Sequence, residues 1–307
     1  ADWILQNKDA YNIKVANFSL STGIGTSVLY DPLDQAVEKL WLSGITVVAA
    51  AGNYGTPDGP SGVVTAPAND PFAITVGAAD TNGTPDPTDD FAAPWSAYGY
   101  TADGFAKPDL GAPGRMIDGP VPGRSTLMQE FRNRGAGRGY MWMSGTSFAA
   151  PIVSGTAADL LALHPDWTPD QVKGALMVTA QPYADSGSQF PLGVGIVDGA
   201  AAAGVADPPN TNAALDQFVT TDPTTGLLVF DSASWASAAS ADASWASASW
   251  ASASWASASW ASASWASASW ASASWASASW ASDTSASASW ASASWATAVN
   301  ADAFPDG

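Results

Sequence analysis

The chain has 307 residues, with ten lysines and arginines against 28 aspartates and glutamates, and a formal net charge of −18. An acidic surface repels nucleic acid and anionic membranes, so neither is expected as a partner. The absence of cysteine excludes disulfides and thiolate metal sites, and no apolar run reaches the ~18 residues of a membrane span.

The first 206 residues have the pattern of an α/β domain. Short, continuous apolar runs at residues 45–52 and 72–79 predict strands that are buried on both faces, as in a parallel sheet. Residues 31–44 predict a helix, because apolar residues recur every three or four positions between Asp31, a plausible N-cap, and Gly44. This alternation indicates a doubly wound, mostly parallel sheet.

The segment MSGTSFAAP at residues 143–151 suggests a nucleophilic serine. Gly145 precedes a stretch of small residues with helical character, which puts Ser147 at the helix N-terminus, where free N–H groups favour negative charge. A serine needs such donors and a neighbouring base to act as a nucleophile. The same letters also suit a Ser/Thr cap before a buried, alanine-rich helix, and this stretch does not separate the two interpretations.

Asn53 follows a predicted strand and Gly52. An asparagine amide at a strand end could donate to an oxyanion. Gly-Asn is also ordinary turn chemistry.

Seven segments follow one another over about residues 13–203: VANFSLS, SGITVVAAAGN, TAPANDPFAITVGAAD, KPDLGAPG, SGTSFAAPIVSG, HPDWTPDQVKGALMVTA and GVGIVDGAAA. Taken in this order, they resemble the subtilisin-like serine peptidases of family S8. The resemblance implies a subtilisin-type α/β fold over residues 1–206 that is incomplete at its N-terminus. It also implies that Ser147 is the nucleophile and Asn53 the oxyanion-hole donor.

The resemblance further implies two sets of substrate-binding residues. Ser19, Leu20 and Ser21 are expected to form the strand that pairs with the substrate backbone. A wall of the primary specificity pocket is expected from Ala50, Ala51 and Gly52. The sequence departs from the common pattern at Ser21, where glycine is frequent, and at Ile152, where histidine is frequent.

No base for Ser147 can be found in the sequence. The chain has a single histidine, His164, 17 positions after Ser147, and an intervening helix would separate them by ~25 Å. Proton transfer requires ~3 Å. In subtilisins the triad order is Asp, His, Ser, so we expect the missing part of the domain to be a partner of this chain and the chain alone to be inactive.

Two acidic segments raise the question of a cation. Residues 80–90, DTNGTPDPTDD, suit a solvated acidic turn or a cation loop, but they lack the spacing of an EF-hand. Asp109 aligns with a region where some members of the resembled family bind a weak cation. We expect no required cofactor, with structural calcium as the alternative.

Five of the ten cationic residues lie in one segment directly before the Ser147 motif: Arg115, Arg124, Arg132, Arg134 and Arg138. The segment can be a solvated surface insertion or a basic lip beside the cleft, and a lip would favour acidic substrates.

The composition changes after residue 206. Residues 207–230 are rich in Pro, Thr, Asn and Asp and predict a linker, and residues 231–300 repeat the unit SASWA before a short tail at 301–307. Tryptophan keeps five- or ten-residue spacing from Trp235 to Trp295. This phase predicts a β-solenoid, with a flexible low-complexity tail as the alternative, and its aromatic rows could bind a surface or carbohydrate ligand.

The sequence therefore predicts a secreted or cell-surface serine endopeptidase that acts on polypeptides through Ser147. The alternative is a non-catalytic surface or adhesion protein in which a decayed peptidase domain carries the repeats.

Overall fold

The structure is a computed structural model that describes residues 1–56, 59–184 and 191–241. Its helices are α1 (Asp2–Tyr11), α2 (Pro32–Leu42), α3 (Thr126–Glu130), α4 (Thr146–Leu163), α5 (Pro169–Val178), α6 (Gly199–Ala203) and α7 (Ser232–Ala241). Its strands are β1 (Val15–Phe18), β2 (Thr46–Ala50), β3 (Ile74–Asp80), β4 (Phe91–Ala92), β5 (Gly99–Tyr100), β6 (Ala106–Lys107), β7 (Leu110–Pro113), β8 (Ile117–Pro120), β9 (Tyr140–Met143), β10 (Val219–Thr221) and β11 (Leu228–Phe230).

The central sheet is mostly parallel, as predicted. Strand β1 pairs with β2, β2 with β3, and β3 with β7, all in parallel, while the short β4 joins β3 antiparallel. Every residue of β2 and β3 is buried, which explains why both read as continuous apolar runs.

Helix α2 begins and ends where its capping residues predict. The Asp31 carboxylate accepts a hydrogen bond from the N–H of Leu33, and Gly44 follows the helix with a φ of 91°. That left-handed conformation is accessible to glycine at little cost.

Helix α4 is the central core helix. It packs against β1, β2, β3 and β7, and its buried side chains include Ala149, Val153 and Leu160. Its 18 residues have a mean hydropathy of 1.3, enough in length and composition to cross a membrane. The sequence contains no continuous apolar run of that length, and the third of α4 that is buried packs against the sheet.

The predicted linker at 207–230 is wrong as an interpretation, because this segment is part of the domain. Strands β10 and β11 form an antiparallel hairpin that contacts α2, and Leu215, Phe218 and Phe230 are buried in the main core. A Cβ on Gly174 of α5 would lie 1.9 Å from the carbonyl oxygen of Pro209. Glycine at 174 therefore permits the close approach of this segment.

The first repeat unit is helical rather than β-stranded, and the β-solenoid stays a prediction for the other repeats. Helix α7 carries Trp235, which is 2% exposed and stacks on Phe105 with 4.8 Å between ring centroids. The helix forms because Asp231 accepts from the N–H and the hydroxyl of Ser234 in the first turn and because Trp235 gains a buried site. The repeats from residue 242 onward, and the tail at 301–307, lie outside the described residues.

Candidate active site

Ser147 is the second residue of α4 and is partly exposed. Within the described ranges its backbone N–H has no protein acceptor, as expected for the first turn of a helix. Gly145, the N-cap, has a φ of 154° and a ψ of 153°, and a Cβ there would lie 3.2 Å from Asn53 Nδ2. Glycine at 145 thus leaves space for the Asn53 amide beside the nucleophile.

Asn53 is oriented by two hydrogen bonds. Its Oδ1 accepts from the backbone N–H of Thr146 at 2.8 Å and from the Thr146 hydroxyl at 3.0 Å. The Nδ2 group is therefore on the opposite side of the amide, and it has no acceptor in the part of the chain that the structure describes. Two donors without an acceptor in the described residues therefore lie at the N-terminal end of α4: Asn53 Nδ2 and the Ser147 N–H.

Thr146 is a residue that the sequence interpretation missed. It is buried, and its hydroxyl accepts from the N–H of Gly52 at 3.1 Å while donating to Asn53. It therefore ties the end of β2 to the start of α4. A hydroxyl residue immediately before the serine is the signal that could have identified it.

Ser19 contacts the nucleophile segment directly. Its hydroxyl donates to the backbone carbonyl of Ser147 at 2.8 Å and accepts from Asn17 Nδ2 at 2.9 Å. Leu20 and Ser21 are exposed. All three predicted residues follow β1 rather than belonging to it, so their pairing with a substrate backbone stays a prediction.

The predicted pocket wall lies at the end of β2. Ala50 and Ala51 are 6% and 0% exposed, and Ala51 packs in a small cluster with Val63, Ala68 and Ala97. The Ala51 side chain therefore faces the interior, and a wall built here would present backbone atoms and Gly52. The role of these residues in specificity also stays a prediction.

His164 lies at the far end of α4 from Ser147. Its ring stacks on Trp167 with 3.9 Å between centroids, and its Nε2 is 3.1 Å from the carbonyl oxygen of Ala203. The 18-residue helix separates it from Ser147 by ~25 Å. His164 therefore cannot act as the base for Ser147.

Asp109 does not have the surroundings of a cation ligand. Its carboxylate is buried and lies 2.9 Å from Lys107 Nζ and 3.2 Å from Lys173 Nζ. The Lys173 ammonium also donates to the carbonyl oxygens of Pro71, Phe72 and Ala73 at 3.0–3.3 Å. Two ammonium groups already neutralise Asp109 and bind these carbonyls, so a metal ion does not fit here.

Three carboxylates of the acidic turn at residues 80–90 have partners among the described residues. Asp80 pairs with Arg115, Asp86 accepts from Thr88, and Asp89 accepts from the Thr84 hydroxyl. Among the described residues no group of three or more acidic or histidine side chains is arranged to hold a metal. The solvated turn therefore stays a prediction, with the cation loop as its alternative.

A buried acidic cluster, which the sequence interpretation did not identify, is formed by two residues of α2 and one residue of the loop before β3. Asp34, Glu38 and Asp70 are at most 4% exposed. Burial and the neighbouring carboxylates raise the pKa of Asp34 to about 9 and raise the pKa of Glu38 well above its ordinary value. Burial also raises the pKa of Asp70 to about 6, against the lowering effect of hydrogen bonds from the Ala73 and Phe72 N–H groups and of Lys107. With its pKa raised to about 9, Asp34 is protonated at neutral pH in the folded chain.

Comparison with known proteins shows which family the chain matches and which proteins it is similar to. Residues 2–195 match the family model described as peptidase S8, subtilase family. The chain is 40% identical over 181 residues to the serine protease AprX of Bacillus subtilis, covering 57% of this chain and 40% of AprX. It is 35% identical over 202 residues to subtilisin amylosacchariticus of Bacillus subtilis subsp. amylosacchariticus, covering 66% of this chain and 43% of that protein.

Among solved structures, the chain is similar to fervidolysin from Fervidobacterium pennivorans, described as a keratinolytic enzyme related to subtilisin. The TM-score is 0.52 at 31% identity, over 67% of this chain and 28% of fervidolysin. The mostly parallel α/β fold is therefore of the subtilisin type. The chain spans about two fifths of the length of both curated relatives.

Proposed function

Because the chain belongs to the subtilase family, we propose that it acts as a serine endopeptidase that cleaves polypeptides by acyl transfer to Ser147. The observation that carries the proposal is a pair of donors at the end of α4 that bears the serine hydroxyl: Asn53 Nδ2 and the Ser147 N–H have no acceptor among the described residues. Oriented donors of this kind stabilise the oxyanion that develops during acyl transfer.

The chemistry follows from these groups. The Ser147 oxygen attacks the peptide carbonyl carbon while its proton passes to a base, and the carbonyl oxygen becomes an oxyanion that accepts hydrogen bonds from the two donors. The C–N bond then breaks, and the protonated base gives its proton to the departing amine. Water hydrolyses the resulting ester and regenerates the Ser147 hydroxyl.

The proposal requires an imidazole that the single histidine of this chain cannot supply. We propose that another polypeptide segment brings the base and its carboxylate partner to the free edge of β1. Within the described residues β1 pairs with β2 on one side only, so its other edge can accept a strand. Ser19, which follows β1, contacts Ser147, so a strand added in parallel would end near the nucleophile.

The family resemblance also carries the expectation of a secreted or cell-surface location, and this is part of the proposal. The proposal includes no required calcium, and Asp109 is no part of a calcium site in it because lysine ammonium groups occupy its surroundings.

Chemical supply of the base tests the proposal with the chain as it is. The chain is incubated with an activated peptide ester, with and without added imidazole, and intact mass spectrometry measures the acyl adduct. We expect an imidazole-dependent adduct in the parent chain. The control variant Ser144→Ala, which removes the hydroxyl that accepts from the N–H of Met116, should form the same adduct. Ser147→Ala should form none.

An adduct level in the parent chain equal to that in Ser147→Ala would contradict the proposal. It would favour the non-catalytic surface protein as the function.

A further inference from the structure

Residues 115–143, called the arm here, form a basic module in an acidic protein. Five of the ten cationic residues and two of the 28 acidic residues lie in the arm, which gives it a net charge of +3 and leaves −21 on the rest of the chain. The arm connects β7 to α4 and ends four residues before Ser147.

The arm has a small core of its own. Strands β8 and β9 pair antiparallel, and Met141 and Met143 face inward, where they pack with Val121 and with residues of α3. Because side chains alternate along a strand, Tyr140 and Trp142 face outward, and they are 49% and 38% exposed. The outer face of the arm therefore presents two aromatic rings.

The arm is fixed with respect to the nucleophile. The N–H of Gly145 donates to the carbonyl oxygen of Gly114 at 2.8 Å, and the N–H of Met116 donates to the Ser144 hydroxyl at 3.0 Å. Phe148, the residue after Ser147, packs against the arm's core. These contacts hold both ends of the hairpin next to the start of α4.

Three arginines of the arm have uncompensated charge. Arg115 pairs with Asp80, and Arg134 lies over the ring of Phe131. In contrast, Arg124, Arg132 and Arg138 are exposed, and no ion pair is recorded for them in residues 1–56, 59–184 and 191–241. Exposed guanidinium groups of this kind bind carboxylates.

We propose that the arm is an exosite that binds an acidic stretch of the polypeptide substrate, an inference that rests on the proposed peptidase function. Trp142 precedes Ser147 by five residues, so the two Cα atoms are at most ~17 Å apart. An extended substrate advances ~3.3 Å per residue, so substrate residues within about five positions of the cleaved bond reach Trp142. Its arginines would bind the acidic side chains, while Tyr140 and Trp142 pack against the peptide.

A direct binding measurement tests the exosite independently of catalysis. The full chain carrying Ser147→Ala is titrated against a fluorescent Glu-rich peptide and a Gln-rich peptide of the same length, and anisotropy gives both dissociation constants. At about 0.1 M salt we expect the Glu-rich peptide to bind about tenfold more tightly, and at about 1 M salt we expect that preference to disappear.

Matched variants distinguish the effect of the arm's charge on binding from the effect of the net charge of the chain. Replacing Arg124, Arg132 and Arg138 with Gln should reduce binding of the Glu-rich peptide to the level of the Gln-rich one. The control, Lys14→Gln with Lys39→Glu, also lowers the net charge by three but at exposed positions outside the arm, and it should retain the preference. Trp142→Ala should weaken both peptides by a similar factor.

Equal affinity for the two peptides, or equal losses in the arginine and lysine variants, would overturn the exosite. So would size-exclusion data showing a dimer that depends on the three arginines, because the occupant would then be a second copy of this acidic chain. A failure of the peptidase proposal is detected by a separate measurement, the absence of the acyl adduct on Ser147.

Discussion

Two hydrogen bonds from Thr146 determine which end of the Asn53 amide is free to act on a substrate. Because Oδ1 accepts both the N–H and the hydroxyl of Thr146, the NH₂ group is left as the donor. Thr146 does not touch the reacting atoms in this mechanism, so it is a positioning residue for Asn53.

Substitutions at Asn53 distinguish the loss of its N–H donor from the loss of the oxygen that accepts from Thr146. Asn53→Asp keeps an acceptor for Thr146 but removes the donor, whereas Asn53→Ala removes both. We expect each to lower the imidazole-dependent acylation rate by ~10²–10³, a magnitude known from subtilisin itself rather than calculated from this structure.

Thr146→Val should also slow acylation, and Thr146→Ser should restore the rate because it retains the hydroxyl. A parent-like rate in Asn53→Asp would remove Asn53 from the oxyanion role.

The Lys173 ammonium occupies the position that a bound metal ion would take. It lies between the Asp109 carboxylate and three carbonyl oxygens. Lys173→Met should lower the free energy of unfolding by ~3–5 kcal/mol, because it removes one partner from a buried charge cluster. Exposed Lys14→Met is the control.

A chelator should leave the Tm of the parent chain unchanged, measured by thermal denaturation. A fall in Tm on chelation, reversed by calcium, would show that a metal ion is required after all.

At the scale of elements, the segment 207–241 completes the core of the domain rather than leading away from it. Phe230 packs edge-on against Phe72 at 5.1 Å, and Trp235 stacks on Phe105. The first copy of the repeat unit is therefore an anchor, since one face of α7 is buried against the domain.

Trp235→Ala should destabilise the chain by ~3–5 kcal/mol, the cost of removing a buried aromatic side chain. Trp235→Phe should cost less, because the buried indole Nε1 has no hydrogen-bond partner among the described residues and phenylalanine retains a ring. Trp3→Ala, at a position 60% exposed, is the matched control. Urea unfolding of the three variants measures the differences, and equal losses at Trp235 and Trp3 would refute the anchor.

At the scale of the whole molecule, the acidic cluster makes stability depend on pH. Asp34 and Glu38 lie on α2, and Asp70 is in the loop before β3; Asp31, Asp103 and Lys39 also act on them, and Lys107 and Lys173 act on Asp70. Since the folded pKa of Asp34 is raised to about 9, the native state binds more protons than the unfolded state between the ordinary aspartate pKa and about 9. The free energy of unfolding therefore falls as pH rises through that window.

Asp34→Asn should flatten this decline by up to about 1.4 kcal/mol per pH unit, because it removes one titrating proton. Asp166→Asn makes the same chemical change at an exposed position and is the control. Urea denaturation at several pH values between 5 and about 9 measures the slopes. An unchanged slope in Asp34→Asn would show that Asp34 does not hold its proton in the folded state.

The sequence by itself determined the features that depend on local pattern. Continuous apolar runs predicted β2 and β3, and Asp31 and Gly44 predicted the ends of α2. The order of short motifs predicted the family, and the stretch of small residues after Gly145 placed Ser147 at a helix start. These predictions succeeded because burial on both faces, capping and backbone freedom are each encoded within a few residues.

The tertiary structure alone decided the features that depend on distant partners. Lys107 and Lys173 can be buried because Asp109 and the carbonyls of residues 71–73 surround them, and Lys173 lies 100 positions beyond Ala73. The 207–230 segment has the composition of a linker, yet Leu215, Phe218 and Phe230 find a core formed by much earlier elements. Such packing depends on which surfaces meet after folding, and a local sequence pattern does not specify the surface that its residues will contact.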